Sequence, residues 1–215
     1  TIRVTDNSSN TSSPLTVSSF TVGAFKPALA QVTAVPTPTD NITPSYTFFS
    51  TLPGLIIYSG DCNSSDNSSD ADNNTITFNA LSEGPHTNCK ISVTSSGNLT
   101  SDNLSVDNFT IDITAPLVDN FTMTDTQIKV GETATVQLVF SEAVISFSSS
   151  ADVTVANGSL STMTSIDNIT WSGTFTPATN AEDPTNTLSL ATSYTDTAGN
   201  NGPAATTANY EVENR

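Results

Sequence analysis

Residues 90–111, KISVTSSGNLTSDNLSVDNFTI, read as two apolar runs around a polar turn. Ile91 and Val93 make the first run, and Leu104/Val106 followed by Phe109/Ile111 make the second. Apolar side chains at period two are the mark of a strand with one buried face, so the stretch predicts a β-hairpin. The pattern stands a second time, without a gap, at residues 1–22. There Ile2, Val4, Leu15, Val17, Phe20 and Val22 take the matching places around the turn Asp6-Asn7-Ser8-Ser9-Asn10, at an offset of 89. A third copy closes the chain, where Tyr194-Thr195-Asp196-Thr197-Ala198-Gly199-Asn200 leads to Tyr210 and Val212. Three closing hairpins predict three domains, and 215 residues hold two.

The register carries one more expectation. Val106 and Phe109 fall on opposite parity, as do Val17 and Phe20, and a one-residue slip would exchange core for solvent. A β-bulge at Asp107–Asn108, and another at Ser18–Ser19, would return both apolar pairs to one core.

Hydrophobic residues make up 35 % of the chain and lie in alternating runs, which suits thin sandwiches with one buried face per sheet. No window repeats apolar residues at helical spacing over three turns. The chain reads as all-β. Formal net charge is −16, and the cations are Arg3, Lys26, Lys90, Lys129 and Arg215. So acidic a surface repels phosphate backbones and anionic lipid, which argues against nucleic-acid partners and membrane docking. It also keeps neighbouring molecules apart and leaves room for a divalent cation. No stretch approaches the ~18 apolar residues of a membrane span, and no leader peptide is legible, so the chain reads as a mature product or an excised segment.

Cys62 and Cys89 are the two cysteines. With the single His86 they cannot fill a zinc site, and no Cys-x-x-Cys is present. A Cys62–Cys89 disulfide is the better reading and points to an oxidising compartment.

Taken in order, residues 1–22 form the closing hairpin of a preceding or neighbouring domain. Residues 23–113 form a first sandwich, with strands expected at 28–35, 45–50, 55–59, 75–81, 87–94 and 103–112. Residues 114–215 form a second, with strands at 117–123, 133–141, 152–156, 159–164, 168–176, 187–196 and 204–212. Asn157-Gly158 between two such runs predicts a tight hairpin. Val136/Leu138/Phe140, Ile169/Trp171/Phe175 and Leu188/Leu190/Tyr194 are the expected core faces, with Trp171 alternating with Ile169 as a core residue and not as a ligand platform.

Leu138-Val139-Phe140-Ser141-Glu142-Ala143-Val144, Ala151-Asp152-Val153-Thr154-Val155 with Asn157-Gly158, and the run from Tyr194 to Gly202 resemble the bacterial immunoglobulin-like (Ig-like) repeats of giant surface adhesins. The linker Asp112-Ile113-Thr114-Ala115-Pro116 is similar to the joint of those arrays. The first domain resembles a sister repeat through Thr43-Pro44-Ser45-Tyr46-Thr47-Phe48, Asn74-Thr75-Ile76-Thr77-Phe78-Asn79 and the Asp61-Cys62/Asn88-Cys89 pair. The resemblance implies tandem Ig-like β-sandwiches joined by short linkers. It further implies calcium near the joint, with Asp112 as the linker acid, Glu142 as the acid after Phe-Ser and Asp196 as the acid of the Thr-Asp-x-Ala-Gly-Asn turn. Asp6 matches Asp196 in the first hairpin, whereas Ser95 does not in the middle one.

Two other sites stand out on the residues alone. Asp61, Asn63, Ser65 and Asp72 stand at EF-hand ligand positions, but Asp66 takes the place of the required glycine and Asp72 that of the bidentate glutamate. A solvated acidic loop is the simpler reading. His86, after Pro85, reads as a solvated turn residue, and no Ser or Cys stands in a nucleophile motif, so the chain reads as non-enzymatic. Asn-x-Ser/Thr occurs at Asn7, Asn10, Asn41, Asn63, Asn67, Asn73, Asn98, Asn103, Asn108, Asn120, Asn157 and Asn168, about twice the number that a Ser/Thr-rich composition gives by chance. These are candidate N-glycosylation sites.

The expected role is a segment or subunit of an extracellular or cell-surface fibre, filament or adhesin stalk. Its partners would be neighbouring copies or domains of the same protein, head to tail. The alternative is an adhesion module that binds a glycan or a protein through its loops.

Overall fold

The computed structural model of the protein covers the whole chain, and residues 1–18 and 25–214 are described here. Apart from one helical turn, Ser149–Asp152, every regular element is a strand. Buried apolar side chains fall into two clusters, one running from Val35 to Ile111 and the other from Phe121 to Val212.

The first cluster lies between two sheets. One joins Leu29–Thr33, Ser45–Ser50 and Asn73–Thr77, and the other joins Ser68–Ser69, Gly54–Ser59, Lys90–Ser95 and Leu104–Ser105. Tyr46 and Phe48 bury from the first while Ile56, Ile91 and Val93 bury from the second, each on alternate positions. Cys62 and Cys89 form a disulfide and are both buried, tying the loop after Gly54–Ser59 to the start of Lys90–Ser95. Thr39 bridges Ile111 in parallel, with Thr39 N donating to Thr110 O and Asp112 N donating to Thr39 O.

The second sandwich follows the same plan. Ala134–Phe140 pairs with Val118–Met123 on one side and Thr170–Pro177 on the other, and Gly158–Leu160 continues that sheet. Its strict alternation buries Val136, Leu138 and Phe140. At about 1.5–3 kcal/mol for each large apolar side chain, this strand is the main apolar anchor of its sheet. The opposite side is closed by Tyr210–Asn214, which pairs in parallel with Gln127–Lys129 and antiparallel with Ala181–Asn186. Trp171 is half-buried and meets the Phe147 ring edge-on at 4.8 Å, as its alternation predicted.

Three local expectations are corrected. The bulge expected at Asp107–Asn108 is a change of sheet. Leu104–Ser105 pairs with Lys90–Ser95, whereas Phe109–Ile111 pairs with Gly84–His86. Val106, Phe109 and Ile111 still reach one core, because the break between the two ladders absorbs the parity step. Phe20, Val22 and Ser19 of the matching first hairpin lie outside the described residues. Asn157-Gly158 is no hairpin: Val153–Thr154 pairs with Ser189–Leu190, and Gly158–Leu160 pairs with Thr170–Pro177. Asn157 takes a positive φ of 49° and its Nδ2 donates to Asp183 Oδ2 and Asn186 Oδ1, so the turn hands the chain from one sheet to another. His86 is no solvated turn residue. It lies in Gly84–His86, buried, stacked on Phe109 at 5.2 Å, with Nε2 2.9 Å from Ser82 O.

Candidate metal centre at the joint between the sandwiches

Three segments far apart in sequence end at the same place. Asp112 directly follows the strand Phe109–Ile111. Glu142 follows Ser141, whose N donates to Leu117 O and whose Oγ accepts from Leu117 N, so the start of the second sandwich fixes it. Asp196 ends Thr195–Asp196, paired with Val144–Ile145.

The turn after Asp196 is built by its own carboxylate. Oδ1 accepts from the backbone N–H groups of Ala198, Gly199 and Asn200 at 2.8, 2.8 and 2.9 Å, and Oδ2 accepts from Asn200 Nδ2 at 2.9 Å. Gly199, at φ 111°, takes a conformation that a side chain would strain. Four charge-assisted bonds hold a fully buried carboxylate. The same turn crosses to the first sandwich, where Asn200 Nδ2 also donates to Asp112 O at 2.8 Å and Asp40 N donates to Ala198 O at 3.1 Å.

Carboxylate oxygens of Asp112, Glu142 and Asp196 lie within 4.8 Å of one another. Burial, then the charges of Asp196 and Asp112, push the Glu142 carboxyl above its ordinary pKa. Among the described residues the one ion pair is Lys26–Asp102, so no fixed cation neutralises the trio. Asp112 Oδ1 accepts from Thr114 N at 3.1 Å, while Asp196 Oδ2 takes only the one amide. Free oxygen lone pairs, unbalanced negative charge and donors from three segments fit a hard cation with an irregular oxygen shell, for which calcium is the common case. The sequence places these three residues on different motifs, and the fold brings them together. Sequence reasoning missed Asp40, which belongs to no motif; its Oδ2 stands 3.3 Å from where a Cβ on Gly199 would sit.

Residues 112–212 match the family described as a bacterial Ig-like domain. The second sandwich is thus similar to a bacterial Ig-like domain. The match starts at Asp112 and includes all three carboxylates of the joint. No curated protein matches the chain. Among solved structures it is similar to the Escherichia coli adhesin FdeC, at 14% identity and a TM-score of 0.40 over 91% of this chain and 67% of that one. It is also similar to the titin domains z1z2 in complex with telethonin, at 11% identity and a TM-score of 0.28 over 90% of this chain and 98% of that one.

In the acidic loop of the first sandwich, Asp66 Oδ2 accepts from Thr77 N, Asp72 Oδ1 from Asn73 N, and Asn88 Oδ1 from Asp61 N. The Asp66 and Asp72 carboxylates are thus engaged by backbone amides of the first sandwich. Of the sequon asparagines, Asn120 is half-buried and the others are exposed. Within the Ig-like domain Asn157 Nδ2, the atom a glycan would take, is held by Asp183 and Asn186. In the first hairpin Asn10 Nδ2 donates to Asp6 Oδ2.

Proposed function

We propose that the chain is a non-enzymatic length of an extracellular fibre, filament or adhesin stalk, built from Ig-like sandwiches set head to tail. A calcium ion at Asp112, Glu142 and Asp196 stiffens the joint. The observation that carries this reading is the seam itself. The Asp196 turn of one sandwich bonds the backbone of the other at Asp40 and Asp112, and the three carboxylates meet beside those bonds. Coulomb repulsion among three like charges opposes that arrangement, and a divalent ion reverses its sign. The disulfide supports an oxidising, extracellular setting. Neighbouring copies or domains of the same protein are the partners, and exposed sequons other than Asn10 and Asn157 are the places for glycans.

The rival reading, a module that grips a glycan or protein through aromatic loops, has less support. Tyr46, Phe48, Phe78 and Phe175 are buried and Trp171 is half-buried. Small-angle X-ray scattering with calcium and with chelator tests the proposal. A single extended rod in calcium that becomes a flexible pair of beads in chelator is the expected result. Scattering that is identical in both conditions, for wild type and for Glu142→Gln alike, would remove calcium from the joint. A compact particle would remove the shaft.

A further inference from the structure

We infer that the hairpin of residues 1–17 is the closing hairpin of another Ig-like sandwich of the first sandwich's type. That sandwich stands ahead of Pro27 as the first sandwich stands ahead of Pro116, and its open apolar edge is the partner of the hairpin's exposed face. This deepens the tandem reading and rests on it.

The ground is an internal comparison. Residues 2–17 and 91–106 align without a gap, and the identical pairs are Ile2/Ile91, Val4/Val93, Thr5/Thr94, Thr11/Thr100, Ser12/Ser101, Leu15/Leu104 and Val17/Val106. They include every apolar position of the hairpin's face and the residues that tie its strands. The bonds repeat one for one. Val4 N donates to Ser12 Oγ as Val93 N does to Ser101 Oγ, Ser12 N donates to Val4 O as Ser101 N does to Val93 O, and the Thr5 and Thr11 hydroxyls pair as those of Thr94 and Thr100 do. The two hairpins are thus one structure in two settings.

Only the setting differs. Ile91, Val93 and Val106 are 1 %, 0 % and 4 % exposed, whereas Ile2, Val4 and Val17 are 57 %, 69 % and 51 % exposed. The side chains that the first sandwich covers with Tyr46, Phe48 and Ile56 are therefore bare in the hairpin. A two-stranded hairpin with such a face is marginal alone, and what fits the face is what covers it in its twin. Leu104–Ser105 pairs with Lys90–Ser95 in the first sandwich, and Thr195 bridges Asn201 in the second, so each described sandwich already owns a closing hairpin. The spacing from Val17 to Pro27 equals that from Val106 to Pro116, which sets the partner ahead of Pro27 in line.

The turn adds the orientation. Asp6 Oδ1 accepts from Ser8 N and Asn10 N, and Asp6 Oδ2 accepts from Asn10 Nδ2, as in the Asp196–Asn200 turn. Asn200 uses its second amide hydrogen on the linker carbonyl of Asp112. Asn10 has the same group free to reach the linker carbonyl at the far end of its own sandwich. The hairpin thus joins a first-sandwich body to a second-sandwich turn.

The test is a transplant within the full chain, with residues 91–106 replaced by a copy of residues 2–17. The expected result is a first sandwich that still unfolds cooperatively, its midpoint within about 10 °C of the parent. Trp171, the single tryptophan, reports the second sandwich separately. The same graft carrying Val4→Ser and Val17→Ser should lose the first transition. Loss of that transition in the unmodified graft, or equal melting of the serine graft, overturns the inference. So does a dimer of the parent protein at sedimentation equilibrium that Val4→Ser dissolves, since the face would then belong to a second copy. None of these readouts depends on rod length or calcium, so they stand apart from the test of the shaft.

Discussion

The backbone amide of Asp40 donates to the carbonyl of Ala198 at 3.1 Å, and with this bond the first sandwich touches the second sandwich's turn directly. The contact needs no side chain from either residue. What it needs is a turn held in shape, and the Asp196 carboxylate does that.

Asp196→Ala should therefore destabilise the second sandwich by about 2–4 kcal/mol, because it leaves the N–H groups of Ala198, Gly199 and Asn200 without their acceptor. Chemical denaturation followed through Trp171 measures the loss. Destabilisation below ~0.5 kcal/mol would mean that the turn holds its shape without the carboxylate.

Glu142→Gln separates charge from scaffold, since no turn bond depends on Glu142. Without a divalent cation this variant should be as stable as the parent or slightly more so, with one repulsive charge gone. In calcium at a hundred times its dissociation constant the parent should gain about 2.7 kcal/mol and the variant much less. Calorimetric melting in calcium and in chelator reads both numbers, and an equal gain in the two proteins would exclude Glu142 as a ligand.

Cys62→Ser with Cys89→Ser should lower the stability of the first sandwich by about 3–4 kcal/mol in the chain-entropy account of a loop this size. The Trp171 transition of the second sandwich should stay in place. A shift of both transitions would show that the two unfold as one unit.

Burial pushes the hydroxyls of Tyr46, Tyr194 and Tyr210 up to about 12, with the Asp107, Asp152 and Asp183 charges adding to it in turn. Each phenol is neutral in the fold, so its contribution is fully present below pH ~10. It is lost as pH rises through about 12. Tyrosinate absorbance should appear late and together with loss of the far-ultraviolet signal. Full ionisation near pH 10 in a folded protein would contradict the burial.

Gly202 has a simpler constraint. A Cβ there would run into the Tyr194 ring, whose hydroxyl donates to Pro203 O at 2.8 Å. Gly202→Ala should cost about 1–3 kcal/mol. A melting temperature equal to the parent's would show that the ring can move aside.

What could be read in the sequence was what alternation writes plainly. Val136, Leu138 and Phe140, and likewise Tyr46 and Phe48, repeat at period two and are buried as expected. The three joint acids were named only through the family resemblance, since alternation says nothing of them. Ala181–Asn186 was not, since AEDPTN has no apolar period and includes Pro184. It is a strand because Asn186 Nδ2 donates to Asp183 O and Tyr210 O, and its register shifts between Asp183 and Asn186. His86 was misjudged for a related reason. A lone imidazole after proline has no period to declare that Phe109 stacks on it.

The parallel pairing of Gln127–Lys129 with Tyr210–Asn214 sets how the second sandwich meets mechanical tension. A pull that enters at Pro116 and leaves past Asn214 drags these two strands along their length in opposite directions. Their hydrogen bonds lie across the load and must yield together, not one after another as in a zipper. The Thr39 bridge to Ile111 puts the first sandwich under the same geometry. Force sent down the chain is thus met in each sandwich by a patch of backbone loaded in shear.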